Sequence, residues 1–302
     1  ISFMRIVTRP DFDGIVCAVL IRGAERIQGP VTWLEPGDVQ NGKADIKKGD
    51  IMANLPYDER CSLWFDHHVS NRPESPVAGA FKIAPSAAGV VYEYYRETGK
   101  LDSEYDRLVH WADIIDAAEL TEDQVLYPEN YPYVILSMTV RNRDKTDPPY
   151  WKKLVDLLEH RPVEEVMNHK EVRTRKETII RENRAYEAIL RENSAIYDGI
   201  CVTDFRHYDE PPSGNRFLAY SIFPETMATI KIRYAGPEKD KVLVSIGHSI
   251  FNDRCRVNVG RLLSKYGGGG HKGAGGCTLD AADADRKIRE LLTVMRENRP
   301  VD

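Results

Sequence analysis

The chain has 302 residues, of which 42% are hydrophobic and 29% are charged. This balance is ordinary for a globular protein and excludes a disordered chain. The formal net charge of −5 excludes a globally basic surface of the kind that grips long nucleic acids, so an anionic substrate has to be held locally. The length predicts two domains of unequal size.

The cysteines and the hydropathy of the sequence exclude further classes of protein. The five cysteines are scattered singly, without CxxC pairs, so they indicate neither a disulfide framework nor a structural zinc site. The longest apolar runs are well short of the ~20 residues needed to cross a bilayer, and the first residues lack a secretory pattern. We therefore expect a soluble, cytoplasmic protein with no membrane partner.

The N-terminal third alternates short apolar strands with helical patterns, which is typical of a parallel α/β sheet. Strands are predicted at 5–7, 31–34, 50–54 and 62–65. Helices are predicted at 15–24, 86–98 and 103–118. Ligands bind at the carboxyl ends of the strands in such sheets, and polar residues follow these strands.

The sequence from residue 150 onward indicates a helical connection followed by a second unit. The stretch 150–197 is mostly helical, and its charged part at 163–197 predicts one long helix that ends at Gly199. Strands are then predicted at 200–205, 217–223, 229–234, 242–246 and 276–279, with helices at 257–265 and 284–297. The predicted fold is α/β, with a parallel-sheet domain at 1–190 joined by a helical linker to a smaller α/β domain at 191–302.

An acidic loop follows the first strand. Asp11 and Asp13 stand at positions i and i+2, directly before an apolar helix. Two carboxylates so spaced can face one crevice, as hard cations such as Mg²⁺ and Mn²⁺ require, and Gly14 permits the turn into the helix. The alternative is a surface turn in which Asp13 caps the helix.

Asp66, His67 and His68 leave the end of another apolar strand. Imidazole nitrogen together with carboxylate oxygen suits Mn²⁺, Fe²⁺ or Zn²⁺, and a carboxylate beside a metal-bound histidine can orient that histidine. Together with Asp11 and Asp13 on the same parallel sheet, this triplet predicts a metal site rather than two unrelated histidines in a polar loop.

A glycine-rich segment at 267–276 contains His271 and Lys272. Glycines let backbone N–H groups face a phosphate at close range, and the two side chains supply charge-assisted donors. A flexible linker would also be rich in glycine. Arg254 and Arg256, before the preceding helix, either clamp a second phosphate or stack on a base, or belong to a solvated surface.

Taken together, these motifs resemble those of the DHH phosphoesterase superfamily. The segment 11–14 resembles its first motif, 66–68 its third, and 267–276 the glycine loop of the DHH-associated C-terminal domain. The motifs occur in the family's order and span nearly the whole chain. The resemblance implies a metal-dependent phosphohydrolase, similar to the exopolyphosphatase-related proteins and nanoRNases. It does not identify the substrate.

The resemblance also implies roles for individual residues. The implied ligands of Mn²⁺ or Mg²⁺ are Asp11, Asp13, Asn54, His67 and Asp113. Asp113 best matches the family's fourth motif, and Asp116, one helical turn later, is the second choice.

Three residues are expected to act in catalysis. Asp11 binds the neighbouring ion or the nucleophilic water, Asp66 orients the histidine pair, and His68 contacts the phosphate.

Two positions depart from the family pattern. Val7 stands where many members have a histidine, and Asn54 stands where a bridging aspartate is usual. An amide can ligate through its oxygen, but it carries no charge and bridges poorly. One ion site therefore looks intact and the other weakened.

The expected reaction is hydrolysis of a small phosphorylated substrate held in a cleft between two domains. The expected substrate-binding residues are His68, Arg254, Arg256, Gly269, Gly270, His271 and Lys272. A short oligonucleotide, a nucleotide phosphate and polyphosphate all stay open as substrates, as does a homodimer. The alternative function is a nucleotide-binding protein of the same fold with weakened catalysis.

Overall fold

The computed structural model describes residues 4–140 and 147–300. The chain divides into two compact units, Ile1–Glu119 with Glu129–Glu177, and Leu120–Pro128 with Thr178–Asp302. The helix Lys170–Asn193 contributes residues to both. The domain limits 1–190 and 191–302 stay a prediction.

The first unit is built on a five-stranded sheet. Its strands are β1 Arg5–Thr8, β2 Val31–Trp33, β3 Asp50–Ala53, β4 Leu63–Asp66 and β5 Gly79–Phe81. The helices up to the second sheet are α1 Phe12–Glu25, α2 Pro36–Gln40, α3 Ala87–Glu97, α4 Asp106–Asp116, α5 Glu122–Leu126, α6 Pro132–Thr139, α7 Pro148–His160, α8 Val163–Asn168 and α9 Lys170–Asn193. Of these, α5 belongs to the second unit.

The strand order is β2-β1-β3-β4-β5, and all four strand pairings are parallel. Ile6, Val7, Trp64 and Phe65 are fully buried, as expected of strands covered on both faces. The predicted parallel α/β sheet is confirmed. Because the strands are parallel, the loops that follow β1, β3 and β4 leave from the same edge of the sheet.

The second unit contains a six-stranded mixed sheet in the order β10-β11-β9-β8-β7-β6, in which only β7 and β8 pair in parallel among the described strands. The strands are β6 Ser194–Tyr197, β7 Ile200–Asp204, β8 Ala228–Tyr234, β9 Lys241–His248, β10 Gly269–Gly270 and β11 Ala274–Asp280. The helices are α10 Leu218–Ile222, α11 Val259–Ser264 and α12 Ala281–Glu297. Alternate residues such as Ile230 and Val244 pack with Leu262 and Leu291 in one core.

Several predicted elements differ from those observed. The strand predicted at 217–223 is the helix α10, whose five residues are all buried; a short apolar run does not distinguish the two. The long helix predicted at 163–197 is interrupted between α8 and α9, and its last four residues form β6. Among the described helices, none has the length and apolar character needed to span a bilayer.

The glycine-rich segment is an ordered hairpin, so the interpretation as a flexible linker is wrong. β10 and β11 pair antiparallel, with Gly269 opposite Gly276 and Gly270 opposite Gly275. Their connection places the residues from His271 to Gly273 at the tip.

The hairpin is held against the start of α11. The backbone N–H groups of Val259 and Gly260 donate to the carbonyls of Lys272 and His271, both at 2.9 Å. A Cβ atom added to Gly260 would lie 2.4 Å from the carbonyl oxygen of Gly270. Only glycine therefore allows the helix and the hairpin to approach this closely.

We predict that Gly260→Ala destabilises the protein by about 1–2 kcal/mol, since overpacking outweighs the helix preference of alanine. Urea denaturation measures the free energy of unfolding. Gly236→Ala is the matched control, because an added Cβ there meets no heavy atom within 4 Å. Equal midpoints for the two variants would contradict the close approach.

Candidate metal and catalytic site

The candidate site residues of the first unit lie at the carboxyl edge of the parallel sheet. Asp11 follows β1, Asn54 follows β3, and Asp66 ends β4 with His67 and His68 after it. The first turn of α3 and the end of α4 complete the surroundings. Parallel topology thus brings together loops that are distant in sequence.

Asp13 lies in the first turn of α1 and is 2% exposed. Its Oδ2 accepts a hydrogen bond from Ala87 N at 3.0 Å and its Oδ1 from Ala88 N at 2.8 Å, both at the N-terminus of α3. Burial nevertheless raises the pKa of Asp13 well above its usual range, and the negative charges of Asp116 and Asp11 raise it further. The two backbone donors therefore do not offset the cost of ionising Asp13 in this buried position.

The N-cap of α1 is Asp11, whose Oδ1 accepts from Gly14 N at 2.8 Å. The alternative in which Asp13 caps this helix is therefore wrong. Asp13 instead spans from α1 to the neighbouring helix α3.

His67 faces Asp13 and Asp116 with one ring nitrogen free. Its Nδ1 lies 2.9 Å from Ala84 O, to which it can only donate, so Nε2 carries the lone pair. Nε2 lies 3.3 Å from an oxygen of Asp116 and 4.0 Å from Asp13 Oδ2. It is buried and has no hydrogen-bond partner within the described part of the chain.

One ligand atom each from Asp13, His67 and Asp116 fall within 4.8 Å of one another. Partial burial raises the pKa of Asp116, and the charge of Asp11 adds to this. The buried carboxylate of Asp13 and the more exposed carboxylate of Asp116 thus both face Nε2 of His67. This donor set fits a divalent transition metal ion, and the unpartnered Nε2 of His67 has no other role in the described structure.

Asp113 and Asp116 separate in the structure. Asp113 Oδ1 accepts from Ser86 Oγ at 2.6 Å, and Ser86 is the N-cap of α3, where its Oγ accepts from Gly89 N. The described residues contain two groups of possible metal ligands, Asp13 with His67 and Asp116, and Asp66 with His67 and His68, and Asp113 belongs to neither. The geometry thus favours the second choice, Asp116, as ligand, and gives Asp113 a structural role under the helix terminus that holds Asp13.

Asp11 is surrounded by donors from the protein itself. Its Oδ1 accepts from Gly14 N and from Asn54 Nδ2 at 2.9 Å, and its Oδ2 lies 3.3 Å from Arg9 Nε. Burial raises the pKa of Asp11, and the charge of Arg9 opposes that rise. Val7, at the position of the family's usual histidine, is fully buried and offers no ligand.

Asp66 orients His68. The fully buried Asp66 accepts from His68 Nδ1 at 2.8 Å through Oδ1, and from Asn71 Nδ2 at 2.7 Å through Oδ2. The hydrogen bond that His68 donates to Asp66 raises the pKa of His68, whose side chain is 38% exposed. Asp66 thereby fixes the tautomer and leaves Nε2 of His68 as the free nitrogen.

Sequence reasoning missed Asn71, Ser86 and Arg9. Ser86 carried a readable signal, because a serine directly before an apolar helical pattern is an N-cap. Asn71 and Arg9 carried none, since their roles arise from tertiary contacts.

The predicted substrate-binding residues of the second unit lie on its surface. Gly269–Gly270 form β10, and His271 and Lys272 expose their side chains at the hairpin tip. Arg254 and Arg256 are also exposed, and the guanidinium of Arg254 is hydrogen-bonded locally. Their binding roles stay predictions.

Comparison with known proteins gives one strong similarity. No family model and no curated protein matches the chain. The pGpG-specific phosphodiesterase PggH from Vibrio cholerae is 32% identical with a TM-score of 0.87, covering 98% of this chain and 100% of its own.

Two further solved structures share the fold only. RecJ from Thermus thermophilus, in complex with Mn²⁺, is 17% identical with a TM-score of 0.58 over 99% of this chain and 54% of its own. An exopolyphosphatase-related protein from Bacteroides fragilis is 12% identical with a TM-score of 0.51 over 98% of this chain and 93% of its own.

We predict that Asp116→Asn weakens Mn²⁺ binding at least 10²-fold, because removing even an outer-shell partner of a metal costs ~10–100-fold. Asp113→Asn is the matched control, since an amide oxygen can still accept from Ser86. It should change the Mn²⁺ affinity less than Asp116→Asn does. Isothermal titration calorimetry measures both affinities, and the reverse order would restore Asp113 as the ligand.

Proposed function

Because this chain belongs to the DHH phosphoesterase superfamily and is a phosphoester hydrolase, we propose that it cleaves the phosphodiester bond of a short linear dinucleotide such as pGpG, with Mn²⁺ or Mg²⁺ as cofactor. The metal dependence rests on one observation: the unpartnered, buried Nε2 of His67 faces the carboxylates of Asp13, which is buried, and Asp116, which is exposed. The substrate rests on the similarity to PggH over nearly the whole chain.

Asp13, His67 and Asp116 are the residues that hold the ion. A bound divalent ion offsets the charge that develops on the phosphoryl oxygens and makes a water nucleophile available near neutral pH. The imidazole in the ligand set favours Mn²⁺ over Mg²⁺. Ala87 and Ala88 keep Asp13 in place through their backbone N–H groups.

His68 handles the phosphate beside this centre. Since Nδ1 of His68 donates its hydrogen bond to Asp66, the opposite nitrogen, Nε2, donates to a phosphoryl oxygen when the ring is an imidazolium. The raised pKa of His68 keeps the imidazolium form populated toward neutral pH. Asp66 does not need to touch the substrate, because it acts through His68, and Asn71 holds its other oxygen.

The hairpin tip supplies the remaining recognition. His271 and Lys272 expose an imidazole and an ammonium group on a backbone fixed by hydrogen bonds to α11. These two side chains are our candidates for contacts to a phosphate group. Arg254 and Arg256 are the further candidates for phosphate or base contacts.

The test is hydrolysis of pGpG by the full chain with Mn²⁺. We expect release of GMP, no cleavage of the cyclic dinucleotide, and weaker hydrolysis of phosphoadenosine phosphate and polyphosphate. Chelation by EDTA should abolish turnover, and added Mn²⁺ should restore it. Turnover that survives chelation would refute the metal dependence, and a preference for another substrate of the panel would refute the dinucleotide.

A double-mutant cycle tests how Asp66 acts. Asp66→Asn is expected to lower kcat by roughly 10²–10⁴-fold, because the amide no longer fixes the imidazole tautomer. Removing the imidazole with His68→Ala should make the further change at Asp66 nearly silent. Additive losses in the double variant would show that Asp66 acts independently of His68.

A further inference from the structure

Arg9 lies within the acidic site, although none of the sequence motifs assigned it a role. It follows β1 directly, and its side chain is 32% exposed. Its Nε lies 3.3 Å from Asp11 Oδ2 and 3.7 Å from an oxygen of the more exposed Glu35. The positive charge of Arg9 opposes the rise in pKa of Asp11, Asp116 and His68, each of which stays raised overall.

The carboxylates of the site differ in how many of their oxygens the protein satisfies. Asp66 has a donor on each oxygen, from His68 and Asn71. Asp11 accepts two hydrogen bonds on Oδ1, from Gly14 N and Asn54 Nδ2, and its Oδ2 is in an ion pair with Arg9. Asp11 and Asp66 therefore have little need of a further cation.

Asp13 and Asp116 are different. Asp13 has one backbone donor on each oxygen and no cationic partner, apart from the weakly approaching His67, in the described residues. Among the described residues, Asp116 has an ion pair only with His67, at 3.3 Å. Ionised, as metal ligands are, Asp13 and Asp116 carry two negative charges, which a single divalent ion would neutralise, while Arg9 pairs with Asp11.

Asn54 also favours a single ion. Its Nδ2 donates a hydrogen bond to Asp11, as a carboxylate could not, and the amide adds no negative charge to attract a second ion. Arg9 Nε lies at ion-pair distance from Asp11 Oδ2, 3.3 Å, without a hydrogen bond in the described part of the chain. The amino groups of the guanidinium are the atoms that we assign to a phosphoryl oxygen.

We propose that Arg9 is the fixed second cation of this site, paired with Asp11, so that the enzyme binds one divalent ion per chain and uses the guanidinium against the phosphoryl group. The inference deepens the proposed function and rests on it. Arginine side chains stabilise transferring phosphoryl groups in this way in other enzyme classes.

Metal stoichiometry is the first test, measured on the full chain saturated with Mn²⁺ by native mass spectrometry and calorimetry. We expect one ion in the wild type and two in Arg9→Ala/Asn54→Asp, which removes a cation and adds a carboxylate beside Asp11. Arg9→Ala alone, if the double variant does not fold, should show a second, weaker binding event. Two ions in the wild type, or one ion in a folded double variant, would overturn the inference.

Arg60→Ala is the matched control. Arg60 pairs with Asp58, two residues away in sequence, as Arg9 pairs with Asp11. Arg60 and Asp58 belong to no group of possible metal ligands among the described residues. This variant should keep one ion and the wild-type kcat.

Kinetics provide the second test. Arg9→Ala should lower kcat on pGpG roughly 10²-fold, as the loss of one charge-stabilising group does, and added guanidinium ion should restore part of the loss. A merely structural role would show no rescue. An unchanged kcat would overturn the role of Arg9 alone, whereas a wild type that binds no ion, or hydrolyses without one, would refute the proposed function itself.

Discussion

The two hydrogen bonds between Asp13 and the first turn of α3 are the constraint on which the site depends. They connect the helix that follows β1 to the helix that follows β5, and they fix a carboxylate in a buried position. Ser86 and Asp113 support the same helix terminus from the other side. Two backbone donors do not offset the burial of Asp13, whose pKa stays raised. The fold thus holds Asp13 where its ionised form is costly, and a bound cation would remove that cost.

The parallel sheet explains why the partners of Asp13 are where they are. Thr8 is in register with Ala53, and Ala53 with Phe65, so β1, β3 and β4 end at nearly the same level. The next residues of the three strands therefore enter the same space. His67 uses its Nδ1 on the carbonyl of Ala84, which fixes which nitrogen faces the carboxylates. The proposed metal site thus depends on strand register and one backbone hydrogen bond, between elements that are distant in sequence.

The sequence predicted those features that have a periodic or compositional signal. The strands of the first sheet are continuous apolar runs, and helices such as α1 and α3 show their periodicity together with a capping residue. Asp113 and Asp116 could not be separated in this way, because residues three apart share one face of a helix. Only the tertiary contact with Ser86 removes Asp113 from the ligand group. Arg9 and Asn71 were invisible for the same reason, and α10 was mistaken for a strand because it is buried all round.

Asn54 combines a backbone requirement with an electrostatic one. Its φ of 57° lies in the left-handed region, which asparagine tolerates better than most residues, and its N–H donates to Phe65 O at 3.0 Å across to β4. Its amide then reaches Asp11 at 2.9 Å. An aspartate in this place would set two carboxylates at hydrogen-bond distance, an arrangement that is stable only with a shared proton or a cation between them. The amide makes that cation unnecessary at Asp11, and this is the contact on which the proposed count of one ion per chain rests.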